Sequence, residues 1–321
     1  MNGNILHYIS AFALSLLIMI IITPKLRALA IKIGYCEKPR DSERKIHNET
    51  KPYLAGLGMF LTFWVCYFII LRDFSTKSLL IMISSLIIFA IGMVDDWYKI
   101  KGSDLKALPK LIVQLSACVL VFISGVRFRG FTNPLDSGYI LLPGWLQFSL
   151  TVTWMFGVTT VINFMDGLDG LAGGLSCISS CTLFIVAMAK GNFYSAIMGI
   201  ILVGICLGYL KYNKFPSKIL MGDAGATFLG FMLGLISLDG AFKQATAISI
   251  FVPVLALGLP IFDNLFVVLN RIKNKKPVYE GDATQVHHRL LAKGMTQKQV
   301  VFTLYLISLC LNLCAIIVFM L

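Results

Sequence analysis

Charge is what this sequence has least of. Asp, Glu, Lys and Arg together make up 14% of it, against about 25% in an ordinary soluble domain, while 57% of its residues are hydrophobic. That imbalance excludes a soluble globular protein. No Cys-x-x-Cys pair occurs among the eight cysteines, and no loop carries the spaced cysteines of a disulfide-stapled secreted domain. Cys36 falls in a polar loop and the rest fall in apolar stretches, where a thiol packs as a small hydrophobe. Histidine is scarce, and the adjacent His287 and His288 do not share a helix face, which excludes a two-histidine zinc site there. No repeat relates the two halves of the chain.

What the chain does have is apolar stretches near 4–24, 54–71, 78–94, 109–125, 145–162, 171–189, 194–210, 225–238, 244–269 and 299–320. Most approach the roughly 20 residues that cross a hydrocarbon core. The expected fold is an all-α integral membrane protein of about ten transmembrane helices, forming a single polytopic domain over 1–321. The first stretch is too long for a signal h-region and is expected to be retained. Placing 25–53, 95–110, 163–174, 211–224 and 270–298 on one side leaves only Arg72, Lys77, Arg127, Arg129, Lys190 and Lys243 of the 28 Lys and Arg on the other. The basic side is then cytoplasmic and both termini lie outside. A basic face suits anionic phosphates and lipid, and it equally serves topology alone. The acids also gather on that side, with Asp73, Asp136 and Asp239 as exceptions. The orientation rule does not count acids, so their gathering has another cause.

The acids sit at the ends of apolar stretches, where a carboxylate needs a partner, a cation or water. Asp95 and Asp96 point about 100° apart on a helix, so they grip one cation or divide two tasks. Lys110 and Gln114 share one face of the next helix, where the lysine either meets a phosphate or snorkels to the interface. The stretch NFMDGLDGLAGG at 163–174 holds four glycines and no basic residue, which lets backbone approach a ligand while Asp166 and Asp169 bind a metal or a base edge. Asp223 in MGDAGA at 221–226 is either a helix N-cap or the holder of a phosphate-bound cation. Pro260 is expected to kink a helix that carries Asp263. His287, His288 and Arg289 read as donors to phosphate, and Arg44, Lys45 and His47 in the first polar loop either meet a phosphate together or belong to a solvated topology loop.

These motifs, with PIFD at 260–263 and VHHR at 286–289, resemble the polyprenyl-phosphate N-acetylhexosamine-1-phosphate transferases over essentially the whole chain. The resemblance implies a ten-helix enzyme of the bacterial plasma membrane, its active site on the cytoplasmic face. It would use Mg²⁺ (or Mn²⁺ in its place) to move a sugar 1-phosphate from a UDP-sugar to undecaprenyl phosphate, releasing UMP. By resemblance, Asp95 and Asp96 handle the lipid phosphate, and Asp223 is a metal ligand. Asn163, Asp166 and Asp169 contact metal and uridine, Asn213 lies on the nucleotide side, and His287 and His288 lie near the diphosphate. Lys110 matches the lysine at the start of the fourth helix. Asp263 is placed with the catalytic group, either supporting the reacting residues from behind or positioning the lipid phosphate.

The RKIH and HHR elements resemble the branch that uses UDP-N-acetylglucosamine to start a wall or surface polymer. The alternative branch, phospho-N-acetylmuramoyl-pentapeptide transferase, usually carries three consecutive histidines. Gln285 stands where a leading histidine is expected, and Ala226 replaces a serine; the first bears on sugar recognition, the second on no expected ligand. Nucleic acid is not an expected partner, and the oligomeric state, a homodimer included, is left open. An ion-coupled transporter is the distant rival, disfavoured because the acids cluster at helix ends on one side rather than at mid-membrane.

Overall fold

The computed structural model describes residues 2–37, 50–103, 105–132, 138–241, 251–275 and 284–320. Arg44, Lys45 and His47 lie outside the described residues. In chain order the elements are α1 (Asn2–Ile33), β1 (Cys36–Glu37), β2 (Lys51–Pro52), α2 (Ala55–Leu71), α3 (Thr76–Ile100), α4 (Ala107–Ile123), β3 (Gly130–Thr132) and β4 (Tyr139–Leu141). There follow α5 (Gly144–Phe164), α6 (Leu171–Ala189), α7 (Phe193–Asn213), α8 (Gly222–Ile236), a π-turn (Ser237–Ala241), α9 (Phe251–Ala256), α10 (Gly258–Lys273), α11 (Val286–Ala292) and α12 (Gln297–Met320). Among the described residues the strands form two small antiparallel ribbons, β1–β2 and β3–β4.

The protein is an all-α membrane protein. Among the described residues six helices, α1, α3, α5, α6, α7 and α12, are long and apolar enough to cross a membrane. Helices α2 and α4 are apolar but shorter, at 17 residues each. Length alone therefore does not give ten crossings: the stretch near 225–238 is a helix of 15 residues, and the stretch 244–269 is broken at Leu257 between α9 and α10.

Helix α8 is the centre of the bundle. Every residue in it except Asp223 is buried, the mark of a helix apolar all round. Gly92 of α3 makes the closest approach possible, because a Cβ there would strike the Ala224 backbone. The outermost helix α1 instead exposes Leu6, Ile9, Leu17 and Ile21, as a lipid-facing surface does.

Two prolines explain where polar side chains enter the bundle. A proline nitrogen cannot donate to the carbonyl four residues earlier. Pro24 thus frees the Ile20 carbonyl, which accepts from Tyr212 Oη at 3.0 Å. Pro260 frees the Ala256 carbonyl, which accepts from Ser179 Oγ at 2.6 Å and Asn312 Nδ2 at 3.1 Å. The expected kink at Pro260 is a full break: the proline sits in the first turn of a new helix, a position where its missing donor is harmless.

Helices α3 and α8 run antiparallel. At one end Lys77 pairs with Asp239 at 3.0 Å. At the other, the end of α3 meets the start of α8, and the β1–β2 ribbon is tied in by Leu220 N donating to the Pro52 carbonyl at 2.8 Å.

Candidate active site

The last turns of α3 carry Asp95, Asp96 and Lys99, and their neighbours are Lys110 in the first turn of α4 and Asp223 in the first turn of α8. Lys99 Nζ lies 3.0 Å from Asp95 Oδ2 and 2.7 Å from Asp223 Oδ1. Lys110 Nζ lies 3.0 Å from Asp95 Oδ2 and 2.6 Å from Asp223 Oδ2. Two carboxylates and two ammonium groups thus alternate in a closed ring, and Asn163 Nδ2 approaches Asp223 Oδ2 at 3.4 Å. Lys99 escaped the sequence reading, although its spacing of four from Asp95 places both on one helix face.

Asp96 has a different task from Asp95. Its carboxylate is fully buried and accepts from Asp223 N at 2.7 Å and Ala224 N at 3.1 Å. It satisfies the amides that open α8, where a negative charge also meets the positive end of the helix dipole. Gly222, at φ 67°, makes the fit: a Cβ there would strike the Asp96 carboxylate. Asp96 therefore fixes where Asp223 stands, and Asp95 faces the ring.

The glycine-rich loop is divided in the same way. Asp166 is half-buried, and its carboxyl is pushed up to about 8, first by burial and then by the Asp223 and Glu37 carboxylates. Asp169 points elsewhere. Lys51 Nζ lies 3.0 Å from its Oδ2, Ser217 N donates to Oδ2 at 2.9 Å, and Ser217 Oγ donates to Oδ1 at 2.7 Å. Asn213 Oδ1 accepts from Gly170 N at 2.9 Å, while Tyr305 Oη donates to the Gly170 carbonyl at 2.5 Å. Asp169 and Asn213, expected to meet metal, uridine or nucleotide, are thus engaged in fastening the loop. The partners Lys51, Ser217 and Tyr305 were not legible, because each lies far along the chain from the group it holds.

Asp263 does not join the ring either. Both its oxygens accept from Val286 N at 3.0 Å, and Oδ1 also accepts from Arg289 Nη2 at 2.7 Å. This carboxylate ties the start of α11 to α10. His287 is buried, and burial, then His288, pushes its pKa down to about 3, so the ring is neutral. Its Nε2 edge packs on Gly167, where a Cβ would strike it. The His288 ring lies beside it, with centroids 4.3 Å apart.

Among the described residues no three His, Cys, Asp or Glu side chains form a metal-holding group. The donor chemistry at the ring nonetheless suits Mg²⁺. Asp95 and Asp223 converge on the same two ammonium groups, and Mg²⁺ is held by one or two carboxylates while keeping several waters. Soft sulfur ligands are absent from the ring, as a hard cation requires.

The sequence profile described as Glycosyl transferase family 4 matches residues 78–241, from the start of α3 to the π-turn after α8. The chain is 35% identical over 317 residues to a Bacillus subtilis (strain 168) protein named probable undecaprenyl-phosphate N-acetylglucosaminyl 1-phosphate transferase, covering 99% of this chain and 86% of that one. It is 30% identical to the decaprenyl-phosphate N-acetylglucosaminephosphotransferase of Mycobacterium tuberculosis (strain ATCC 25618 / H37Rv), with 88% and 76% of the two chains covered. It is also 30% identical to a phospho-N-acetylmuramoyl-pentapeptide-transferase of Prochlorococcus marinus subsp. pastoris (strain CCMP1986 / NIES-2087 / MED4), over 98% of this chain and 90% of the other.

Proposed function

The chain belongs to glycosyl transferase family 4, and from that premise we propose that it transfers N-acetylglucosamine 1-phosphate, or a close hexosamine 1-phosphate, from a UDP-sugar to undecaprenyl phosphate. The products are a lipid diphosphate-sugar and UMP, the first membrane step of a wall or surface polymer. The observation that carries this reading is the ring of Asp95, Lys99, Lys110 and Asp223 at the meeting of α3, α4 and α8. Phosphoryl transfer is catalysed chiefly by positioning and charge stabilisation, and the ring supplies both.

Asp223 would hold Mg²⁺, with Asp166 beside it; the ion, when bound, would supply positive charge to the diphosphate. Lys99 and Lys110 carry the cationic charge that two approaching phosphates need. Asp95 orients the lipid phosphate for attack. Asp166 contacts the metal or the uridine side of the donor. Asp96 keeps the start of α8 in place throughout.

We further propose ten crossings: the six long helices, α2, α4, α8 with its π-turn, and the α9–α10 pair. The ring then faces the cytoplasm and both termini face outward, in keeping with the Lys and Arg asymmetry. The test is UMP release by purified protein supplied with undecaprenyl phosphate and Mg²⁺. UDP-N-acetylglucosamine is expected to be turned over and UDP-N-acetylmuramoyl-pentapeptide to be a poor donor. Preference for the pentapeptide donor would overturn the choice of sugar, and no UMP from either would overturn the reaction.

A further inference from the structure

The glycine-rich loop turns into α6 at Gly170, and that turn is held from two sides. Gly170 stands at φ 84°, in the left-handed region where glycine has a freedom that other residues lack. Two partners remove that freedom. Its N–H donates to Asn213 Oδ1 of α7 at 2.9 Å, and its carbonyl accepts from Tyr305 Oη of α12 at 2.5 Å. The same carbonyl already accepts from Gly174 N at 2.9 Å, the first bond of α6, so the tyrosine is not needed to satisfy a buried acceptor. Tyr305 reaches the turn from the last helix, 135 residues along the chain. Gly174 makes room for it, because a Cβ there would strike the Tyr305 hydroxyl and ring.

A glycine whose N–H and C=O are both bonded to fixed groups has its two soft dihedrals set from outside. Those angles decide the direction in which the chain leaves α6. Asp166 is four residues from this hinge, and the segment around it is compact: Asp166 N donates to the Asn163 carbonyl at 3.1 Å, and Leu171 N to the Leu168 carbonyl at 3.0 Å. A change at the hinge is therefore passed to Asp166. We infer that Tyr305 is a positioning residue for the transfer reaction: its hydroxyl locks Gly170 opposite Asn213 and so sets where Asp166 stands in the site. A phenylalanine ring would fill the space beside Gly174 equally well; only the hydroxyl reaches the hinge. The inference rests on the reading above that Asp166 serves the metal or the donor, and it adds a residue of the last helix to the groups that control donor binding.

The test compares the wild type with Tyr305→Phe and Tyr305→Leu as purified full chains, supplied with UDP-N-acetylglucosamine and undecaprenyl phosphate. Lys51 and Ser217 still hold Asp169 in both variants, so the loop shifts without coming loose. Tyr305→Phe should raise the KM and Kd for UDP-N-acetylglucosamine about threefold to tenfold, the worth of one hydrogen bond, and leave the KM for undecaprenyl phosphate within about twofold. Tyr305→Leu, which also vacates the space of the ring, should show at least that donor defect and a lower melting temperature. Hydrogen exchange of the amides at 166–174, read without substrate, should quicken in Tyr305→Phe. Wild-type donor constants in Tyr305→Phe, with Tyr305→Leu alone impaired, would reduce Tyr305 to packing and overturn the inference, as would equal rises in the donor and acceptor constants. Should the wild type release no UMP from UDP-N-acetylglucosamine, the donor reading falls by itself. The exchange still decides the hinge in that case, and unchanged exchange over 166–174 refutes it.

Discussion

Asp95 and Asp96 are one residue apart, yet one sits in a ring of charges and the other against backbone amides. The difference predicts opposite phenotypes. Asp95→Asn should lose most turnover while UDP-sugar binding and thermal stability persist, whereas Asp96→Asn turns an amide donor toward amide donors and should cost about 1–3 kcal/mol of stability. Thermal unfolding and equilibrium nucleotide binding of the two variants separate these outcomes, and identical behaviour would refute the division of labour. Asp223→Asn replaces a carboxylate ligand with a weak one, so turnover should fall by about 100-fold or more even at saturating Mg²⁺. His287 gives a pH dependence. Its pKa of about 3 lies below the ordinary 6.5, so its contribution to stability is intact above about pH 6.5 and declines as pH falls toward 3, by roughly 1.4 kcal/mol per unit. Melting curves between pH 7 and pH 5 should show a loss that His287→Asn reduces. At this scale the sequence disclosed the acids but not their division. The bearings of Asp95 and Asp96 are set by Ala224 and Asp223, more than 120 residues away.

Elements were legible where apolar runs are long, because length and hydropathy suffice for helices such as α3, α6 and α7. They were only partly legible where a run is continuous but the backbone is not, since Pro260 announces a kink but not a break at Leu257. The stretch 244–269 has no polar punctuation at Leu257, and the break depends on Ser179 and Asn312 meeting the carbonyl that Pro260 leaves open. Those two donors belong to α6 and α12 and cannot be seen locally. Asn312→Leu should lower stability by about 0.6 to 1.7 kcal/mol, the range for interhelical hydrogen bonds in membranes. Adding Ser179→Ala should lower it by more than the sum of the two single changes, since the carbonyl then has neither donor. Additive losses in a double-mutant cycle would mean that the two donors do not share one acceptor in the folded protein.

For the whole molecule, the Lys and Arg asymmetry makes a directional prediction. Single cysteines placed at 102 and 214, in a background freed of native cysteines, should react only from the cytoplasm, and cysteines at 74 and 132 only from outside. One inverted position would mark a miscounted crossing, most plainly at α8 and its π-turn; several would remove the one-sided active site altogether.

The ring of charges also has a consequence for the order in which the chain is made. Asp95, Asp96, Lys99 and Lys110 lie on the α3–α4 hairpin, and these four side chains balance one another before α8 exists. The nascent hairpin can therefore enter the bilayer with these four charges already matched to one another. Asp223 emerges more than 110 residues after Lys110 and adds one negative charge to a balanced group. The finished site thus acquires its net negative charge, and with it its attraction for a cation, only when α8 docks.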